Sequence, residues 1–535
     1  MKKILASALL LLLVMPAFAQ DRIYVSTDRR AYLSGEEVFC SLFCMDEKGR
    51  RNDFSAVAYI ELVSGEGTAA EAKIGLFNGR GAGSFRIPAS TPTGNYRLVA
   101  YTARSAAAPE EARILSVYNA FSSERVPDGV TLVPAEQYRP AFAPDLSDGV
   151  RLSLPANLHP GRPATLVVDG TRLPARLTVS VCHEDGLEAA DGISLASFRQ
   201  GKPAPEGSRP GEYEGEILTA TVEGEGTATA ILSTAGDPSL VYLGRSDENG
   251  HIRFYTGNIY GDRELVCEVL AEGGKAGHIS IASPFTHPEA GALPQLILSP
   301  ALRDALVGRK AALLSGNAVL DTLVNFLPKR EDLLLEGIPP LRYHLDDYTR
   351  FSSVQEVCVE IIRELQYTRS RDKWTLKMVV TDGNRERNYV QDNILVMMDG
   401  VVLSDHGMLA DFDAMLLEDV DLYRHAVVLG GLAFNGVVNF VTKKNYVTSL
   451  RFPDNVRVVD FKGVSYPVAY PGTIIPAQKD LRQLLYWHPA LELEAGGSLY
   501  IPLTMPSYEG RFRAVAEGWL EDGTPVRAEF SFEVK

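Results

Sequence analysis

Ser404-Asp405-His406 puts three catalytic residue types side by side. A hydrolytic triad needs them converging from separate segments, each holding the next by a hydrogen bond. Neighbours in one loop cannot do this by themselves, so His406 is expected to be solvated or bonded within its loop. The nine histidines run from His159 to His488 without a His-x₃-His pair or a zincin motif. There is no Gly-x-Ser-x-Gly, phosphate loop or dinucleotide fingerprint. Asp247-Glu248-Asn249 opens like a calcium loop but lacks the later ligands of an EF-hand. Trp374, Trp487 and Trp519 have the flat faces that stack on sugars. Each lies in a β-like run or beside a proline turn, where core packing is the expected use. No residue is assigned to catalysis, to a cofactor or to a metal.

The elements that must position these residues are mostly strands. Val38, Cys40, Leu42 and Cys44 alternate along one run, Val57 to Val63 forms a second, and Gly94 to Tyr101 turns into a third. Residues 121–150 are rich in Pro and Asp and read as a linker. Residues 151–211 carry the β-like runs Ala164 to Asp169 and Leu177 to Cys182, then a polar loop, and read as a second sandwich. In 212–285, Asp247-Glu248-Asn249-Gly250 is a tight turn between two strands, with the glycine supplying positive φ. These residues read as a third, small sandwich that resembles the regulatory-type repeats of exported bacterial proteins. Residues 286–340 hold one short amphipathic stretch, Ser299 to Val307, and read as another linker. From 341 the pattern changes. Ser352 or Ser353 with Gln355 or Glu356 makes a capping box, and Val354, Val357, Cys358, Ile361, Ile362 and Leu365 follow at helical spacing. Strands are expected at Trp374–Val380 and Ile394–Met398, the latter turning at Asp399-Gly400, and over Phe412–Val420. The last span, 447–535, reads as a C-terminal β-sandwich, with a strand pair, Ser498–Leu503 and Arg511–Leu520.

Two stretches carry a family resemblance. Tyr24-Val25-Ser26-Thr27-Asp28, then Tyr32, Gly35-Glu36 and Val38-Phe39 resemble the opening of the second macroglobulin domain of bacterial α2-macroglobulin-like proteins. Gly94-x-Tyr96-x-Leu98-x-Ala100 fits the same domain. The resemblance implies structural work: Ser34-Gly35-Glu36 as a turn between strands, and Asp28 capping a turn. A covalent protease trap of that family would need a Cys-Gly-Glu-Gln type thioester. Cys267-Glu268-Val269 and Cys358-Val359-Glu360 do not supply it.

Leu395 to Val402 (with Asp399-Gly400), Asp419-Val420-Asp421, and Asn435-Gly436 continuing to Lys444 resemble, in order, the plug domain of TonB-dependent receptors. Gly430 to Phe434 departs from that pattern. The stretch from Lys444 to Lys535 is too short for a receptor barrel of many strands of about 10 residues, so a transporter by itself is not implied. Residues 341–446 are therefore read as a plug-like α+β module, and Asp399, Gly400, Asn435 and Gly436 as its turn residues. The order of modules is similar to exported Bacteroidetes-type proteins that combine macroglobulin and plug domains. The fold expected is mainly β: tandem immunoglobulin-like or macroglobulin-like sandwiches plus one α+β plug-like domain.

Lys2-Lys3, the apolar run Ile4 to Val14, Pro16 and Ala17-Phe18-Ala19 read as a signal peptide over 1–19. The first sandwich then spans 20–120, and the chain is expected in the periplasm or at the outer membrane. A formal net charge of −15 opposes nucleic-acid binding. Five scattered cysteines do not make a disulfide framework. The leading expectation is a non-enzymatic interaction or scaffold protein of the cell envelope. The alternatives are an accessory role in TonB-dependent uptake with an outer-membrane receptor as partner, and a glycan-binding or hydrolytic protein with a site the sequence does not reveal.

Overall fold

The computed structural model describes residues 20–535, apart from 47, 124–126, 139–148, 171, 188–192, 202–206, 208, 225, 237–238, 271–276, 316–323, 326–339, 371–372, 383–386, 411, 430–431, 448–449 and 474–478. The signal-peptide reading therefore lies outside the described residues. The chain is mainly β and multidomain. It divides into two compact units: Met1–Gly215 with Phe285–Phe326 and Val464–Lys535, and Glu216–Pro284 with Leu327–Gly463. No described helix is long and apolar enough to cross a membrane.

In the first unit, residues 22–118 form a folded sheet in the order Arg22–Thr27, Glu37–Met45, Arg80–Arg86, Gly67–Phe77, Val57–Ser64, Gly94–Tyr101, Arg113–Tyr118, Ala31–Leu33. The long strand Gly67–Phe77 passes between the two layers, and Val38, Cys40, Leu42, Ile60, Ile74 and Leu98 fill the space between them. Strand Glu37–Met45 is buried along almost its whole length. Its alternate residues Phe39 and Phe43 point away from that core into two smaller clusters, with Trp487 and Trp519. A run apolar at both parities is what a strand covered on both faces requires.

The second sandwich departs from the sequence reading. Residues 151–211 and 447–535 do not make two sandwiches. Arg151–Ser153, Pro163–Asp169 and Ser498–Thr504 form one sheet. Leu484–Leu493, Ala175–His183, Gly510–Leu520 and Pro525–Val534 form the other. Neither segment has enough strands to cover a core, so they share one. The expected pair Ser498–Leu503 with Arg511–Leu520 is likewise replaced: the first stretch pairs with Pro163–Asp169 and the second with Ala175–His183 and Pro525–Val534. The supposed linker 286–340 is structured over 285–315. Phe285 and Ala290 pack on Val57, Tyr59 and Tyr101, and helix Arg303–Ser315 carries the buried Arg309.

The second unit joins a small sandwich to an α+β module. His251–Tyr255, Ile217–Val222 and Ile279–Ile281 face Val241–Arg245, Thr229–Thr234, Arg263–Leu270 and Val456–Phe461. The strand Val456–Phe461 thus lies in this sandwich and not in a C-terminal one. The module has a five-stranded sheet, Leu341–His344, Leu417–Tyr423, Val437–Thr442, Leu395–Met398, Val401–Val402, and a three-stranded one. Its helix is Val354–Glu360, capped by Ser353 with Glu356 returning the bond. It is shorter than the periodicity suggests, because Leu365 already begins strand Leu365–Ser370. The strand expected from Phe412 starts only at Leu417, after a single 3₁₀ turn capped by Asp413.

Candidate functional site

A cleft of about 90 Å³ opens in the first unit between its two sandwiches. Its first wall is the strand Arg22–Thr27 and the turn after it, with Arg113. Its second wall is Ala175–His183, Gly510–Leu520 and Pro525–Val534. Glu517 is the centre of the buried seam. Its Oε1 receives Arg113 Nη2 at 3.0 Å, its Oε2 receives Arg527 Nη1 at 3.1 Å, and Ser26 Oγ donates to it. Arg113 also donates to Val25 O at 2.8 Å and to Tyr24 Oη at 2.6 Å. Burial by itself would raise the Glu517 carboxyl, but Arg113 and Arg527 outweigh it and hold it at about 2.

The rim is built the same way. Asp28, 3 % exposed, accepts from Tyr32 Oη at 2.7 Å and Phe39 N at 3.0 Å, and pairs with Arg29 at 3.0 Å. Gly35 has φ +93°, which the turn before Glu36 requires. The Glu36 carboxylate is more than a turn residue. It accepts from Leu33 N at 2.8 Å and takes Arg309 through Nε and Nη2, each at 3.0 Å. Burial opposes its ionisation, yet Arg29 and Arg309 bring it below the ordinary carboxylate range. Arg309 Nη1 reaches Asp185 at 3.0 Å and Nη2 reaches Ala31 O at 2.6 Å. Arg113, Arg309, Glu517 and Arg527 were not visible as site residues in the sequence. Their partners lie up to 491 positions away, and no local motif marks them.

The cleft offers no activated nucleophile. Burial pushes the Cys182 thiol up to about 12, and His183 is its strand neighbour, so the two side chains point to opposite faces. Ser26 is committed to Glu517.

The other sequence candidates lie elsewhere. The Ser404-Asp405-His406 stretch makes no triad: His406 Nδ1 accepts from Leu376 N at 2.9 Å, and Asp405 accepts from Gly407 N. His406 is thus bonded to a neighbouring strand and not to its loop, and burial, aided by Lys373, lowers its pKa to about 4. Asp247 is spent on its own turn, taking Asn249 N and His251 N at 2.9 Å each. Trp487 and Trp519 are buried, while half-buried Trp374 meets Tyr367 edge-on at 5.8 Å. All five cysteines are free thiols.

Asp399 was expected to bond locally. Its carboxylate instead takes Thr442 N and Oγ1 at 2.7 Å each and Val447 N at 3.3 Å, tying its hairpin to the strand that runs beside it. Asp399 and Gly400 have φ of 47° and 80°. Gly400 N donates to Asn439 Oδ1 at 3.0 Å, and a Cβ on Gly400 would come within 1.8 Å of Ser239 Oγ. Asn435 N donates to Asn393 O at 2.7 Å, and a Cβ on Gly436 would stand 2.9 Å from Tyr423 O. The structure places Asp28 in the lining of the first unit's cleft, with Gly35 and Glu36 in the turn behind it that Arg309 holds, and it places Asp399, Gly400, Asn435 and Gly436 in the α+β module of the second.

Among the described residues, Glu61, Glu71 and His287 have ligand atoms within 4.8 Å of one another and could hold a metal. Glu61 is already filled, however. Tyr101 Oη (2.6 Å), Thr286 N and His287 N (3.1 Å each) donate to Oε1, while Thr68 Oγ1 (2.9 Å) and His287 Nδ1 (3.1 Å) face Oε2. That geometry anchors the 285–293 segment to the first sandwich.

No protein-family model matches this chain, and no curated protein matches it. Solved structures similar to it include Salmonella α2-macroglobulin reacted with methylamine (11% identity, TM-score 0.25, over 96% of this chain and 39% of that one). The native conformation of E. coli α2-macroglobulin is similar at 10% identity and TM-score 0.25, over 97% and 40%. The Yersinia pseudotuberculosis adhesin InvE is similar at 11% and 0.16, over 50% and 60%. The chain spans about two fifths of the length of the α2-macroglobulins it matches. TM-scores this low carry no argument about family or activity.

Proposed function

We propose that this chain is a non-enzymatic interaction protein of the cell envelope, in which sandwich modules of macroglobulin type serve as stiff spacers and contact surfaces. The observation that carries this is the seam around Glu517 and Glu36. The residues there with the most chemical potential are consumed in fixing one sandwich against the other. A buried network that gives Glu36 and Glu517 two arginines each sets orientation. The basic and apolar N-terminus with its Ala-Phe-Ala site supports export. Cell fractionation of the tagged protein, with cross-linking and mass spectrometry, tests the reading. Recurrent recovery of one envelope protein supports it, and a freely soluble protein with no envelope partner overturns it.

A second reading, an accessory part in TonB-dependent uptake, is favoured by one observation. The three plug-like sequence pieces, around 395–402, 419–421 and 435–444, fall on neighbouring strands of one sheet. Removing residues 341–446 then changes uptake of at least one nutrient, and unchanged uptake across a substrate panel rules this role out.

A further inference from the structure

The cleft between the two sandwiches is not evenly neutralised. On its far rim each carboxylate has its cation: Asp28 has Arg29, Asp185 has Arg309, and Glu184 has Arg511 (2.6 Å) and Arg513. At the seam, three arginines, Arg30, Arg113 and Arg527, meet only two carboxylates, Glu517 and Glu529. Arg30 is the surplus charge. Its guanidinium makes no hydrogen bond and no ion pair among the described residues, although it lines the cleft and is half-buried. Arg113, 4 % exposed, uses Nε and Nη2 and has no bond from Nη1. The Ser180 hydroxyl, on the opposite wall, is buried and makes none either.

Three donors with no protein partner therefore line one space, and a ligand seated there would give them one. Burial, then Arg113 and Arg527, pull the pKa of Arg30 down, and the attraction of Glu517 does not offset them. The cleft, with about 90 Å³ of space, has room for one compact ion. Guanidinium donors in a fork favour oxyanions, with which they form short, charge-assisted bonds.

We propose that this cleft binds a small oxyanion, phosphate-like or carboxylate-like, held by Arg30, Arg113 and Ser180, and that the ion completes the seam between the two sandwiches. This rests on the seam and not on which envelope partner the protein meets, so it stands or falls separately from the function proposed above.

The test uses the purified full chain. Thermal unfolding is followed in sodium phosphate, sulfate and acetate against chloride of equal ionic strength, and phosphate binding is measured by titration calorimetry. At least one oxyanion raises the melting temperature above the chloride value. Phosphate and sulfate acting without acetate identify a tetrahedral ion; acetate acting alone identifies a carboxylate. Arg30→Gln abolishes the difference and weakens binding of the active ion by at least about tenfold. In chloride Arg30→Gln melts no lower than the parent, since it removes a repelled charge that bonds to nothing. Arg51→Gln, at an exposed position of the same sandwich, keeps the difference. No oxyanion effect in the parent, or the same effect in Arg30→Gln, overturns the proposal.

Discussion

Each unit of this protein joins two modules, and the two joints differ in what lies at their centre. In the first unit, sandwich meets sandwich through Ser26, Arg113, Glu517 and Arg527, all buried and all polar, with the aromatic clusters of Phe39 and Trp487 and of Phe43 and Trp519 beside them. In the second, the small sandwich meets the α+β module through Ile231, Leu395, Met397, Val402, Tyr423 and Val437, with polar contacts from Val402 N to Ser233 Oγ, Ser404 N to Glu268 Oε2 and Gly236 N to Asp399 O. An apolar joint is held by area and tolerates small shifts. A charged joint has to hold its geometry, because a carboxylate taken from water is stable only with its partners in place. The first joint thus fixes an angle, and the second mainly provides adhesion.

Breaking the comparison at its strongest point means removing Glu517. Glu517→Ala leaves Arg113 and Arg527 facing each other in a dry seam, and denaturant unfolding should show a loss of about 3–5 kcal/mol. Removing Arg527 as well should restore part of it, as a double-mutant cycle will show.

Acid tests the same joint without mutation. The folded Glu517 carboxyl titrates at about 2 and the unfolded one near ~4.3. Its contribution, roughly 3 kcal/mol, is therefore complete above the unfolded value and is lost as pH falls through the folded one. The second unit should respond in a higher window. His406 titrates at about 4 when folded and near ~6.5 when unfolded, so its stabilisation is present above ~6.5 and declines down to 4. Stability measured against pH should show both steps. An imidazole NMR titration of His406 with a midpoint near the unfolded value would remove the second.

Gly400→Ala probes the apolar joint, where the hairpin crowds Ser239. Positive φ and the missing space together should cost about 2 kcal/mol, read from the urea midpoint. The smallest effect belongs to Arg342. Its pair with Asp421 is tight, at 2.6 Å, but the arginine is half exposed, so Arg342→Ala should change stability by less than about 1 kcal/mol.

The individual strands were legible because alternation and turn residues are local. Val38 to Cys44, Gly94 to Tyr101, the Asn249-Gly250 turn and the capping box at Ser353 all carry their reason within a few residues. What was not legible is long-range. Strand Ala175–His183 takes its neighbours from 484–520, and nothing within 151–211 shows that its sheet is incomplete. Glu36 reads as a turn residue until Arg309 arrives from 273 positions on. Asp399 reads as capping its own turn, because Thr442 is 43 residues away.

The shared second sandwich has a consequence for how the chain is made. A ribosome delivers Ala175–His183 about 300 residues before the strands on either side of it, and a strand without neighbours is an open template for any other strand. The small sandwich and the α+β module lie between them in the chain, and both can close around their own cores while the earlier strands wait. These later strands then act as a clasp: until they arrive, the nascent chain carries bare sheet edges, open to pairing with the wrong partner.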